Sequence, residues 1–96
     1  METENATREK PQVQVGMIAI SLAGHDKDKP FVVTAEVSKE FVLIADGKTR
    51  RAENPKLKRK RHLRAIEPSG LKNPTNAALA KRIKKFISDR RLYAEK

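Results

Sequence analysis

The residues of this chain with the clearest chemical potential are basic and clustered. The stretch Lys56–Arg61, called the basic run below, is interrupted only by Leu57. Lysine and arginine bind phosphate groups, and arginine can do so with two donors at once. Because positive charges packed this closely repel one another, a bound polyanion explains the run better than a solvated loop. The predicted phosphate ligands are Lys56, Lys58, Arg59, Lys60 and Arg61.

Further basic side chains could extend this surface, although each could equally be an ordinary solvated residue. Arg50 and Arg51 are adjacent, so on a strand they would point to opposite faces. Histidine can stack on a base or donate to a phosphate, and helical lysines can contact a backbone without reading sequence. The additional candidates are Arg50, Arg51, His25, His62, Lys81, Lys84 and Lys85.

The same inventory argues against catalysis and metal binding. The chain has no cysteine and 2 histidines, which leaves almost no ligands for a zinc site. No serine has a histidine and an acid arranged around it, and no glycine-rich phosphate loop is present. We expect a protein that is not an enzyme and that uses no cofactor, metal or small-molecule substrate.

The charge is distributed unevenly along the chain. The formal net charge is +10 over 96 residues, yet residues 1–47 carry a net −3 and residues 48–96 a net +13. A segment of such high charge repels itself when it is alone and is stabilised beside a polyanion. This asymmetry favours nucleic acid as the partner.

Length and composition limit the architecture to one small domain. Aromatic residues make up 4% of the chain, so the core must be mainly aliphatic and a base-stacking platform is not expected. Only Tyr93 is a candidate for stacking. No apolar run approaches the roughly 18 residues of a membrane helix, and the polar start of the chain is not a signal peptide. We therefore expect a cytoplasmic protein, with a disordered tail over residues 1–12.

Alternating apolar residues predict short strands between residues 13 and 66. Two predicted strands include Val13–Ile20 and Phe31–Val37, and a third is the apolar run Phe41–Ala45. Asp46-Gly47 is typical of a two-residue hairpin, which would make Lys48–Ala52 the return strand. His62–Ile66 would be the fifth strand. Five short strands favour a small closed barrel, because closure removes exposed edges.

The last part of the chain is predicted to be a linker over residues 67–74 and an amphipathic helix over residues 75–92. Leu79, Ile83, Phe86 and Ile87 form one apolar stripe, which would pack on the barrel. The helix could begin with Asn73 as the cap before Pro74, or with Thr75 or Asn76 as the cap. The spacing does not choose among these caps.

Several segments together resemble a known family. Val15–Val33, with Ala23-Gly24-His25-Asp26-Lys27 in its loop, resembles a KOW motif. The match is strengthened further along the chain by Val42–Gly47, Pro55-Lys56 and Lys60–Leu63. The chain is similar to small bacterial KOW-domain RNA-binding proteins, and these are similar to a KOW-containing large-subunit ribosomal protein of archaea and eukaryotes, the fourteen-e type.

This resemblance implies an SH3-like five-stranded barrel followed by a helix, which binds structured RNA, in particular ribosomal RNA of the large subunit. By position, the loop between the first two strands would contact RNA through His25, Lys27 and Lys29. The family usually has glycine after the lysine of this loop, where this chain has Asp28. Aspartate tolerates positive φ better than most residues, so the loop can keep its shape, although it gains a negative charge.

Two other functions fit the same composition. A small barrel with this charge could bind duplex DNA or serve in transcription, and a protein-interaction module could bind an acidic partner. Recognition of proline-rich peptides is disfavoured, because it needs an aromatic groove and the chain has 1 tyrosine and no tryptophan. We expect a monomer when the protein is free, because the strongly basic half disfavours self-association.

Overall fold

A computed structural model describes residues 12–94, with side chains from residue 12 to residue 90. The predicted tail over residues 1–12 lies outside this range except for Gln12, and the side chain of Tyr93 also lies outside it. Five strands form one antiparallel sheet in the order β4-β3-β2-β1-β5. The elements are β1 (Met17–Ser21), β2 (Pro30–Glu36), β3 (Phe41–Ala45), β4 (Lys56–Arg59), β5 (Leu63–Pro68) and the helix α1 (Asn76–Ala94).

The predicted fold class is confirmed: the protein is mainly β, with five strands followed by one C-terminal helix. The hydrogen-bonded ladder is open, with β4 and β5 as its two edges. A 3-10 turn, Lys60–His62, joins these edges. Within this turn, Leu63 N–H donates to the Lys60 carbonyl. Lys60 N–H donates to the Glu40 carbonyl of the β2–β3 turn, and the His62 carbonyl accepts from Leu22 N–H. The chain therefore connects the two edges without a ladder between them, so the sheet is open where the sequence favoured a closed barrel.

Both faces of the sheet are buried, because apolar residues occupy successive positions of its central strands. Neighbours on a strand point to opposite faces, so Ile18 and Ala19 belong to different clusters. The inner cluster contains Ala19, Phe31, Val33, Val42, Ile44 and Leu63. The outer cluster contains Ile18, Val32 and Ala45, covered by Leu79, Ile83 and Phe86 of α1. Each large side chain buried in this way stabilises the fold by about 1.5–3 kcal/mol.

The start of α1 is fixed by two side chains. The Thr75 hydroxyl accepts a hydrogen bond from Ala78 N–H at 3.2 Å, so Thr75 is the cap among the three predicted alternatives. Asn76 ties the helix to the preceding loop, because its amide oxygen accepts from Ala52 N–H at 2.7 Å and its amide nitrogen donates to Glu53 at 2.8 Å.

The apolar stripe of α1 is buried as predicted at three positions but not at the fourth. Leu79, Ile83 and Phe86 lie in the outer cluster, whereas Ile87 remains 41% exposed. On the opposite flank, Arg82 donates to Glu67 at 2.8 Å and to the Ser69 carbonyl at 3.0 Å, which secures the helix to the end of β5.

The predicted hairpin at Asp46-Gly47 is wrong, and so is the predicted return strand Lys48–Ala52. A type I′ turn needs positive φ at both residues, and only Gly47 has it. The Asp46 carboxylate instead accepts from the backbone of Lys48 and Arg50 and from the Thr49 hydroxyl, which closes a wider loop. The strand that returns along β3 is consequently Lys56–Arg59, inside the basic run.

Gly47 packs closely against the start of the helix. Its φ is +83°, and a Cβ there would collide with the Asn76 carbonyl oxygen and lie 2.9 Å from Ala80 N. Gly70 has a similar φ of +79° but open space around it.

We expect Gly47→Ala to lower the free energy of unfolding by about 1–3 kcal/mol more than Gly70→Ala, because both variants carry the strain of positive φ and only Gly47→Ala adds overpacking. Urea unfolding followed by circular dichroism measures the difference, and equal losses would contradict close packing at Gly47.

Candidate nucleic-acid interface

Most of the basic run is occupied by contacts inside the protein. On β4, Lys56 and Lys58 point to the same face and reach the β1–β2 loop, residues 22–29. The Lys56 ammonium lies 2.8 Å from the Asp26 carboxylate, and that of Lys58 donates to the Ala23 carbonyl at 3.0 Å. Lys58 is 8% exposed, whereas Leu57 between them is 52% exposed. The prediction that Lys58 is an accessible phosphate ligand is therefore corrected: its charge supports the loop.

The next two cations of the run have acidic partners, one on the β2–β3 connection and one at the end of β2. Arg59 lies 3.3 Å from Glu40 and stacks over the Phe41 ring at 4.7 Å. Lys60 lies 2.8 Å from Glu36. Both remain partly accessible, but each is locally neutralised by a carboxylate that would repel a phosphate. Arg61 is the member of the run that is exposed and has no ion pair with a described residue.

Asp26 organises the β1–β2 loop from inside. Its side chain is 10% exposed and lies 3.8 Å from the Arg50 guanidinium as well as beside Lys56. The hydrogen bond from Lys56 lowers the pKa of Asp26; burial opposes this shift, and the charges of Lys56, Arg50 and Lys58 reinforce it. The carboxylate therefore stays ionised well below neutral pH.

Asp28 of the β1–β2 loop adopts a φ of +70°, the region that aspartate tolerates better than most residues. Its N–H donates to the Ser21 carbonyl at 2.7 Å, and Lys29 N–H donates to that of Asp26 at 3.0 Å. This frame leaves three predicted contact residues exposed, namely His25, Lys27 and Lys29.

One end of the sheet gathers basic side chains from distant parts of the sequence. Because the strands are antiparallel, the ends of β1 and β3 and the starts of β2, β4 and β5 lie together there. A groove of about 800 Å³ runs between this end and α1. Four lysines line it and define what we call the lysine groove: Lys29, Lys48, Lys81 and Lys84.

The lysine groove has an apolar wall and a strong positive charge. Pro30, Ile83 and Ile87 contribute the apolar surface. Within the part of the chain that the structure describes, none of the four lysines is in an ion pair. Asp46 also lines the groove, but its carboxylate is already engaged. Burial acts to raise the pKa of Asp46, and hydrogen bonds from Arg50, Lys48 and Thr49 outweigh it and lower the pKa.

A second groove, of about 650 Å³, lies beside β5 at the same end of the sheet. Its cations are three arginines, Arg61, Arg64 and Arg90, and we call it the arginine cleft. Arg90 also stacks over the Phe86 ring at 5.0 Å. The apolar residues lining the cleft are Leu22, Leu63, Ala65 and Ile66.

The structure brings some predicted site residues together and separates others. Lys29, Lys81 and Lys84 meet in the lysine groove, and Arg61 reaches the arginine cleft. Three others are engaged elsewhere or lie outside both grooves: Arg51 lies 2.8 Å from Glu53, Lys85 lies 3.3 Å from Asp89, and His62 is half-buried in the 3-10 turn.

Sequence reasoning missed Lys48, Arg64 and Arg90, which line the two basic grooves, as candidate binding residues. Lys48 was expected on a return strand, and only the Asp46 loop turns it toward α1. For Arg64 a signal existed, because it alternates with Leu63 and Ala65 and must therefore face away from the inner core. Arg90 depends on how α1 crosses the sheet, which its own sequence does not specify.

Comparison with known proteins leaves the family open. No protein-family model matches the chain, and no curated protein matches it. The KOW resemblance therefore stays a prediction. Over the described residues, the structure has no helix long and apolar enough to cross a membrane. Within residues 12–94, no group of three metal-binding side chains is placed to hold an ion.

Removing the Asp26 charge should destabilise the fold in a pH-dependent way. We expect Asp26→Asn to lower the free energy of unfolding at pH 7 by about 1–3 kcal/mol, because Lys56 and Arg50 lose their carboxylate partner. The pKa of Asp26 is lowered in the fold, so its contribution is complete above about pH 4 and is lost as the pH falls through the folded value. The difference between the variant and the wild type should therefore shrink in strong acid, as measured by urea unfolding at several pH values.

Asp28→Asn is the matched control, because it removes the same charge from the same loop. Asp28 is exposed, and asparagine adopts positive φ readily. Its effect should stay within about 0.5 kcal/mol. Equal destabilisation by the two variants would show that the ion pairs of Asp26 contribute little.

Proposed function

We propose that this protein binds structured RNA by docking the lysine groove on the sugar-phosphate backbone. The observation that carries the proposal is the convergence of Lys29, Lys48, Lys81 and Lys84 from two loops and one helix. Unlike the paired cations of β4, these ammonium groups can neutralise phosphates without first leaving a carboxylate. The resemblance to KOW-domain proteins supports ribosomal RNA as the target.

The mechanism is electrostatic. Ammonium groups in the groove replace the counterions condensed on the nucleic acid, and the release of those ions drives binding. The deep major groove of an RNA helix is closed to side chains, so contacts to phosphates and 2′-hydroxyls dominate its recognition. Lysine contributes a point charge without a fixed hydrogen-bonding plane, which suits contacts that position the protein but do not read bases.

Binding of an RNA hairpin should depend strongly on salt. If the four lysines each neutralise one phosphate, the logarithm of the binding constant should fall with the logarithm of salt concentration with a slope of about −3 to −3.5. Fluorescence anisotropy across a salt series measures this slope. A slope near zero would contradict the mechanism, and equal affinity for duplex DNA would indicate a general nucleic-acid binder.

Two matched double variants separate the lysine groove from the basic run. Lys48→Gln with Lys84→Gln and Arg59→Gln with Lys60→Gln both remove two positive charges. We expect the first pair to weaken RNA binding by about tenfold or more and to reduce the salt slope by about 2. The second pair should weaken it by about threefold or less, because Glu40 and Glu36 already neutralise those cations. The opposite order would place the interface on the β2–β3 side of the sheet.

Ribosomal RNA as the target is tested by sedimentation of cell lysate. The protein should travel with the large ribosomal subunit at low salt and leave it at high salt or after ribonuclease treatment. Sedimentation at the top of the gradient at low salt would contradict the ribosomal assignment. Retention of hairpin binding in that case would point to a smaller RNA.

A further inference from the structure

We propose that the arginine cleft binds one unpaired nucleotide of the RNA, such as a bulged nucleotide beside a duplex. This inference rests on the proposed function and adds the feature of RNA that would be selected. It is carried by the construction of the cleft, its chemistry and its position relative to the lysine groove.

The cleft is built by the pairing of β1 with β5. Ile20 is the register partner of Arg64, and Leu22 N–H donates to the His62 carbonyl at 2.8 Å just beyond the last pair. These contacts hold Leu22 beside the 3-10 turn that carries Arg61. The C-terminal half of α1 passes over the same edge and contributes Arg90. Three separate elements therefore present guanidinium groups to one space.

The chemistry of the cleft combines positive charge with apolar surface. None of its lining residues is acidic, and none of its three arginines is in an ion pair within the described part of the chain. Leu22, the residue after β1, is 45% exposed and so presents apolar surface to the cleft. The volume of about 650 Å³ lies within the range of roughly 300–1,000 Å³ of sites for small ligands.

An unpaired nucleotide matches both properties of this cleft. Its phosphate can accept a pair of hydrogen bonds from one guanidinium, and its base can stack on another guanidinium or lie against Leu22 and Ile66. A base inside a duplex has no exposed face for such contact. The lysine groove lacks planar cations, so the two grooves suit different parts of an RNA: one the duplex backbone, the other a nucleotide displaced from it.

The test uses two RNA hairpins of the same stem sequence, one fully paired and one with a single bulged nucleotide. Affinities are measured by fluorescence anisotropy under identical salt. We expect the wild-type protein to prefer the bulged hairpin by about tenfold, the order that one stacked base contributes. The preference should depend only weakly on salt concentration, because the bulged hairpin adds at most one phosphate contact.

Arg64→Lys and Leu22→Ser remove the planar cation and the apolar wall separately. Both residues are exposed, so both variants should fold, and thermal unfolding checks this. Each should reduce the preference for the bulged hairpin to about twofold or less. Arg51→Lys is the matched control, because Arg51 is exposed, pairs with Glu53 and lies outside both grooves. It should keep the tenfold preference.

The outcomes separate this inference from the proposed function. Equal wild-type affinity for the two hairpins, with a steep salt slope, would overturn the nucleotide site and leave RNA docking intact. An unchanged preference in both Arg64→Lys and Leu22→Ser would also overturn it, because another part of the surface would then recognise the bulge. Failure to bind either hairpin would overturn both proposals.

Discussion

Packing of α1 on the outer face of the sheet is the contact on which the rest of the structure depends. Ile18, Val32 and Ala45 would face water without it, because five short strands cannot bury both of their faces by themselves. The helix is held at its start by Thr75 and Asn76 and along its flank by Arg82. Both basic grooves form where this helix meets the end of the sheet, so the candidate binding surface is a product of the same packing.

The fold divides its positive charge between internal and external uses. The β4 cations meet carboxylates or carbonyls of neighbouring loops, and the most buried of these carboxylates, Asp26, holds the β1–β2 loop against the strand. Exposed ion pairs such as Lys60 with Glu36 stabilise a protein by only about 0–1 kcal/mol, but they still cancel charge locally. The positive charge that has no carboxylate nearby therefore lies mainly on residues scattered along the sequence rather than in the basic run.

The two grooves also differ in the chemistry of their cations. Lysine ammonium groups are compact and strongly hydrated, which favours adaptable contacts with a phosphate backbone. Guanidinium groups are planar and more weakly hydrated, so they suit a site where hydrogen-bond direction and stacking matter. The placement of three arginines around Leu22 and Ile66, and of four lysines around Pro30 and Ile83, gives one end of the sheet two basic grooves of different chemistry.

Four of the five strands and the helix could be predicted from local patterns, because alternation and helical periodicity are properties of neighbouring residues; β4 was missed. The buried stripe of Leu79, Ile83 and Phe86 was predictable for that reason, whereas the tolerance of positive φ at Asp28 was inferred from the resemblance to the KOW family. The role of Asp46 could not be predicted, because the local sequence allows either a hairpin through its backbone or a wider loop capped by its carboxylate. The wider loop is accompanied by the approach of α1 to Gly47. Only tertiary contacts distinguished Lys58, which is buried, from Lys48, which is exposed. Charge density along a chain shows how many cations are present, whereas their availability depends on which carboxylates the fold brings within reach.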